Sequence, residues 1–190
     1  PGPVSNWREV KTWNGFAYVG TEAQNSGIII VDLRSLPDTI YSKVWYGPGT
    51  DIVIQRSHAL ACADGYLYVF GGNQQGAVIC DLADPWNPAI KSIYNLQYVH
   101  DGYIRNDTLW ASEIYAGQFS VIDVSDKSQP KVLATQATPG RFNHNSWLSD
   151  NGRFLFTTDE RPNTPLGAFD ISNLGNITLL DQYYPSQKPT

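Results

Sequence analysis

The 190-residue sequence has no methionine, two cysteines, three histidines and few charges. Each shortage excludes something. Cys62 and Cys80 are too few for a disulfide scaffold, and neither CxxC nor Cys/His zinc-finger spacing occurs. Charged residues make up 16% of the chain and the formal net charge is -5, so there is no basic stripe to neutralise phosphates. Nucleic acid is therefore not expected as a partner. No apolar run approaches the roughly 18 to 20 residues of a membrane-spanning helix, the longest candidate being the short stretch 27–33. A signal segment is also lacking. The chain opens on Pro1-Gly2-Pro3 and closes on Lys188-Pro189-Thr190 without an anchor, which is expected of an internal piece of a longer product. No GxSxG, HExxH, P-loop or dinucleotide-binding pattern appears. Helical periodicity never persists beyond about ten residues, which argues against TIM-barrel and doubly wound folds.

What is present is repetition. With 42% hydrophobic and 13% aromatic residues the chain can bury a core of ordinary size. Four segments align, each with three short β-branched and aromatic runs separated by Asn/Asp/Gly turns such as Trp13-Asn14-Gly15, Ala63-Asp64-Gly65 and Asp150-Asn151-Gly152. These read as antiparallel hairpins. Asp32, Asp81, Asp123 and Asp170 close the third run of each segment at spacings of 49, 42 and 47 residues. A fourth run follows a polar linker, giving the period of roughly 40 to 50 residues expected of four-stranded propeller blades. The predicted fold is all-β, a single β-propeller portion over 1–190 with blades near 5–47, 56–97, 98–138 and 142–184. Four blades make an incomplete ring the expectation, and an all-β sandwich is the competing architecture. The recurring aspartate has a local role, since its side chain can accept from a backbone N–H about two residues on and close the turn to the outer strand. Cys62 and Cys80 fall on the first and third strands of one blade, so no bond between them is expected.

The chemistry-bearing residues also repeat. His58, His100 and His144 are spaced 42 and 44 residues apart, and Arg8 holds the equivalent place 50 residues before His58. In a blade the first strand starts at one rim and the antiparallel second strand returns there, bringing Glu22, Glu113, Asp159 and Glu160 to the same edge. Asp101 and Asn145 directly follow two of the histidines. Imidazoles beside carboxylates can hold a divalent metal, with His58, His100 and His144 as its candidate ligands. Repetition in every blade favours instead a structural ring of pairwise hydrogen bonds without a tightly bound ion, so no cofactor is predicted. A glycosidase pair such as Glu113 and Glu160 is a weaker enzymatic reading. Among the aromatics, Trp86 and Tyr115 lie in loops and are the expected exposed ones. Asn106-Asp-Thr108 and Asn176-Ile-Thr178 match the glycosylation acceptor pattern.

The blocks Ile28-Ile-Ile-Val-Asp-Leu33 and Ser120-Val-Ile-Asp-Val124 resemble the LVIVD repeat. Ser5-Asn-Trp-Arg-Glu-Val-Lys11, Tyr98-Val-His-Asp101, Phe142-Asn-His-Asn-Ser-Trp-Leu148 and Thr157-Thr-Asp-Glu160 resemble bacterial choice-of-anchor B proteins. The resemblance covers nearly the whole chain. It implies an exported, surface-displayed or secreted propeller with a variable anchor, completed by further blades from the parent chain or another copy. Its expected function is non-enzymatic: a binding or scaffold module presenting loops to a protein or glycan. The alternative is a metal-dependent enzyme using the His/carboxylate cluster at the channel rim.

Overall fold

The computed structural model describes residues 4–49 and 52–186, so the Pro1-Gly2-Pro3 opening and the Lys188-Pro189-Thr190 close lie outside the described residues. Sixteen strands are present among the described residues, and they form four sheets of four, each a simple antiparallel meander in chain order. The first sheet holds β1 (Arg8–Trp13), β2 (Phe16–Thr21), β3 (Ile28–Asp32) and β4 (Tyr41–Trp45), and the second β5 (Ala59–Ala63), β6 (Tyr66–Phe70), β7 (Ala77–Asp81) and β8 (Ala89–Tyr94). The third holds β9 (Asp101–Arg105), β10 (Thr108–Glu113), β11 (Gln118–Asp123) and β12 (Lys131–Ala137), and the fourth β13 (Asn143–Leu148), β14 (Phe154–Asp159), β15 (Leu166–Asp170) and β16 (Thr178–Tyr183). Each sheet closes on itself before the next begins, which separates this architecture from a sandwich built by Greek-key crossings.

Local chemistry explains the hairpins. Asn14-Gly15, Asp64-Gly65 and Asn106-Asp107 all take positive φ at both turn positions, the conformation whose twist matches that of the flanking strands. The fourth blade departs from this. There Ser149 and Phe154 are joined by a backbone hydrogen bond of 2.9 Å around a wider loop, and Gly152 carries the left-handed φ of 70°. The aspartate at the end of each third strand does what its position suggests. Asp32, Asp81, Asp123 and Asp170 accept from the backbone N–H of Arg34, Ala83, Ser125 and Ser172 at 3.0, 2.8, 2.8 and 2.9 Å. All four carboxyls are held below the usual carboxylate range. Asp32 is lowered to about 2, first by the Arg34 side chain, and Asp170 to about 2, first by Ser172 and then Arg153.

The chain divides into two compact units, Pro1–Leu96 and Gln97–Thr190. In the first, Phe16, Tyr18, Ile28, Ile30 and Trp45 pack against Leu60, Leu67, Val69, Val78 and Cys80. In the second, Trp110, Phe119 and Val121 pack against Leu148, Leu155, Phe169 and Ile171, with the Phe119 and Phe169 rings edge to face at 5.3 Å. These core residues alternate along their strands, but the second and third sheets are buried on their other face as well, through Tyr68, Phe70 and Ile79 and through Leu109, Ala111 and Ile122. Cys62 and Cys80 are free thiols, registered on either side of Leu67 across three strands. Burial pushes both thiols up, Cys62 to about 12.

Two sheet faces remain apolar and open. In the first sheet Val10, Val19, Ile29 and Val44 stand in register as one row, with Val10 and Val44 exposed. In the fourth, Trp147 and Phe156 are in register and exposed, as are Leu166 and Tyr183, which pair further along the sheet.

Candidate functional site

Antiparallel pairing brings the starts of β9 and β13 and the ends of β10 and β14 to one edge of the second unit. Asp159, the last residue of β14, organises that edge. Its two oxygens accept from Thr138 Oγ1 (2.5 Å), Gly140 N (2.9 Å) and Phe142 N (2.8 Å), tying the incoming loop to the strand end. Gly140 is required at this approach, because a Cβ there would lie 2.8 Å from Asp159 Cβ and 2.5 Å from Thr164 Cγ2. Thr164 Oγ1 in turn donates to the Asp159 carbonyl at 3.1 Å. The next residue, Glu160, is fixed through its N–H to Phe142 O at 3.1 Å while its carboxylate reaches solvent.

His144 owes its orientation to a β-bulge. Asn143 registers with Asp159 and Asn145 with Thr158, so His144 is the extra residue between them, the kind of irregularity that re-aims a side chain. His100 enters from the neighbouring sheet, its backbone N–H held by Ser112 O at 2.8 Å and its ring buried. Its Nδ1 lies 3.2 Å from the His144 backbone carbonyl. A carbonyl only accepts, so Nδ1 carries the proton. The opposite edge of the ring faces Glu160, with Nε2 to Oε2 at 3.9 Å. The two imidazole centroids are 4.6 Å apart at 48°. One ligand atom from each of His100, His144 and Glu160 falls within 4.8 Å of the other two. A cavity of about 230 Å³, lined by His144, Glu160, Thr158, Leu166 and Pro185 among others, opens beside them.

Next to this corner runs an aromatic strip. Tyr98 and Tyr115 meet at 4.9 Å, Tyr115 and Phe142 at 6.2 Å edge to face, and the Arg161 guanidinium lies over the Phe142 ring at 4.6 Å. Tyr115, in the β10–β11 turn, is 73% exposed. The other loop aromatic expected to be exposed behaves differently. Trp86 packs against the core of its unit, 6.1 Å from Phe16 and capped by Lys43, because the Asp84 carboxylate accepts from Trp86 N–H and folds the loop inward.

The first unit shows the same repeat position used otherwise. His58 Nδ1 meets Glu22 Oε1 at 2.6 Å, an imidazole from the second sheet paired with a carboxylate just past β2 of the first. Arg8 begins β1 and is exposed. Of the remaining predicted rim residues, Asp101 accepts from Gly102 N–H at 2.7 Å and from Asn145 Nδ2, linking the two sheets of the second unit. Glu113 does not open onto the rim: it is fully buried and accepts from Gln118 Nε2 at 2.7 Å across its own turn. Glu113 is the last residue of β10 and turns inward, whereas Glu160 stands one residue beyond the end of β14. Tyr98, Phe142 and Arg161 were not singled out from the sequence. A signal was available, since Tyr98 and Phe142 each stand two residues before a repeat histidine.

Two stretches match the LVIVD repeat family, residues 57–96 and 110–138. No curated protein gives a significant match. Among solved structures, a protein from Lactobacillus plantarum is similar at a TM-score of 0.76 and 14% identity, over 97% of this chain and 57% of its own. The periplasmic gluconolactonase of Pseudomonas aeruginosa gives 0.68 and 12%, over 95% and 57%. A β-propeller domain from Myceliophteria thermophila gives 0.68 and 12%, over 95% and 59%. Such identities establish the fold and nothing finer. The chain consists of four β-propeller blades and spans a little under three fifths of the length of these neighbours.

Proposed function

We propose that this chain is part of a non-enzymatic binding propeller, exported to the bacterial surface or secreted, which receives its partner on the rim of the second unit. The observation that carries this reading is the strip formed by half-buried Tyr98 and Phe142 and exposed Tyr115, with Arg161 over the Phe142 ring. A face of aromatic rings beside charged and hydrogen-bonding groups suits the apolar face and hydroxyl edge of a sugar, so a glycan is the favoured partner and a protein the other candidate. The surface or secreted location rests on the resemblance of its repeat blocks to exported bacterial propellers. The open apolar rows at Val10–Val44 positions and at Trp147 and Phe156 favour further blades, from the parent chain or another copy, as covering partners.

An enzymatic reading has less support. Lactone hydrolysis belongs to the Pseudomonas protein, and 12% identity does not carry it over. A glycosidase pair of Glu113 and Glu160 is disfavoured by the burial of Glu113 against Gln118. The test is a glycan array probed with the purified chain, followed by titration of any hit with Tyr115→Ser and Arg161→Ser variants. Selective retention that both variants weaken at least several-fold is the expected result. Retention of no glycan, or retention indifferent to both substitutions, contradicts the glycan reading.

A further inference from the structure

We infer that His100, His144 and Glu160 form a binding site for a divalent transition metal, with zinc the ion their donors suit best. Two imidazoles and one carboxylate are a donor set that leaves an open position on zinc. Several features of the corner fit that use. The Nδ1–H of His100 donates to the His144 carbonyl at 3.2 Å, the outer hydrogen bond that fixes the tautomer and orientation of a metal-bound histidine and directs its Nε2 edge inward. That edge faces Glu160 Oε2 at 3.9 Å. His144 is supplied by a bulge residue, and bulges concentrate beside functional sites. Glu160 is anchored through its backbone to Phe142, and Asp159 clamps the loop below it, so two of the three ligands sit on a rigid frame.

The spacing is consistent with an ion that draws its ligands in. Donors at about 2.0 to 2.1 Å from a tetrahedral zinc are about 3.4 Å apart. The three ligand atoms now lie within 4.8 Å of one another, and the exposed Glu160 side chain has the rotamer freedom to close the difference. The cavity of about 230 Å³ adjoins His144 and Glu160, leaving room for water at the remaining coordination position. The first unit provides an internal contrast: His58 meets the Glu22 carboxylate there, and among the described residues the two belong to no group of three metal-ligating side chains. This site goes beyond the glycan reading, since Tyr115→Ser would alter the aromatic strip and leave all three ligands in place.

The test is calorimetric titration of the chelator-treated full chain with Zn²⁺. One ion per chain is expected, with affinity reduced at least about tenfold in both Glu160→Gln and His144→Asn and unchanged in His58→Asn. Glu160 is exposed, so its variant should fold even if the histidine variant does not, and circular dichroism decides that point. A failure to saturate at millimolar Zn²⁺, or equal affinity in wild type and Glu160→Gln, would overturn the proposal.

Discussion

The two units answer the same repeat position with different chemistry. In the first, a histidine at the start of the inner strand pairs with the Glu22 carboxylate at 2.6 Å. In the second, successive sheets both supply a histidine, one donates to the backbone of the other, and Glu160 joins them. The difference comes from small changes around a shared frame: Arg8 where the first unit would have had its second imidazole, and a bulge that turns His144. Repetition therefore fixes where polar groups gather, and departures from repetition decide what they can do there.

If the units differ at their rims but not in their cores, truncating either core should cost about the same. Phe169→Ala is expected to destabilise by about 3 to 5 kcal/mol and Leu60→Ala by about 2 to 5 kcal/mol, read from urea melts. A neutral Leu60→Ala would mean the packing of the first unit has been misassigned. Next in size is Gly65→Ala in the β5–β6 hairpin of the first unit, where φ is 83° and an added Cβ would meet only Trp13 at 4.0 Å. The expected loss of about 1 to 2 kcal/mol is thus a backbone cost rather than a clash.

Acid sharpens the comparison further, because Asp32 and Asp170 perform the same turn-closing task in different units. Both carboxyls sit at about 2 when folded, below their ordinary value of about 4 when unfolded. A lowered folded value contributes stability that is present above pH of about 4 and lost as pH falls toward about 2. Thermal melts of Asp32→Asn and Asp170→Asn should therefore fall below wild type at neutral pH and converge with it near pH 2. A constant gap across that range would assign their effect to something other than the charge. The smallest expected effect is that of Tyr115→Ser on stability, within about 0.5 kcal/mol for so exposed a side chain. Any larger loss in the same urea melt would make Tyr115 a packing residue instead of a binding one.

The architecture was readable because its determinants are local. Asn14-Gly15 and Asp64-Gly65 specify their turns through positive φ, and each strand-closing aspartate finds its N–H partner two residues away. The corner was only partly readable, because its decisive contacts join distant residues. Repeat spacing brought His100 and His144 into consideration but could not show that His144 sits on a bulge. Spacing also does not tell Glu113, which ends β10 and turns inward to Gln118, from Glu160, which stands one residue past β14 and turns outward. Trp86 shows the same limit: an Asx turn at Asp84 half-buries a loop aromatic that composition alone would leave in solvent.

With only three histidines in the chain, the contrast between the units can be followed directly. Long-range ¹H–¹⁵N spectra report each imidazole separately during a Zn²⁺ titration. The account predicts that the ring nitrogens of His100 and His144 shift together and saturate at one equivalent while those of His58 stay in place. Perturbation of His58 in step with the others, or no saturable change at His100 and His144, would contradict it.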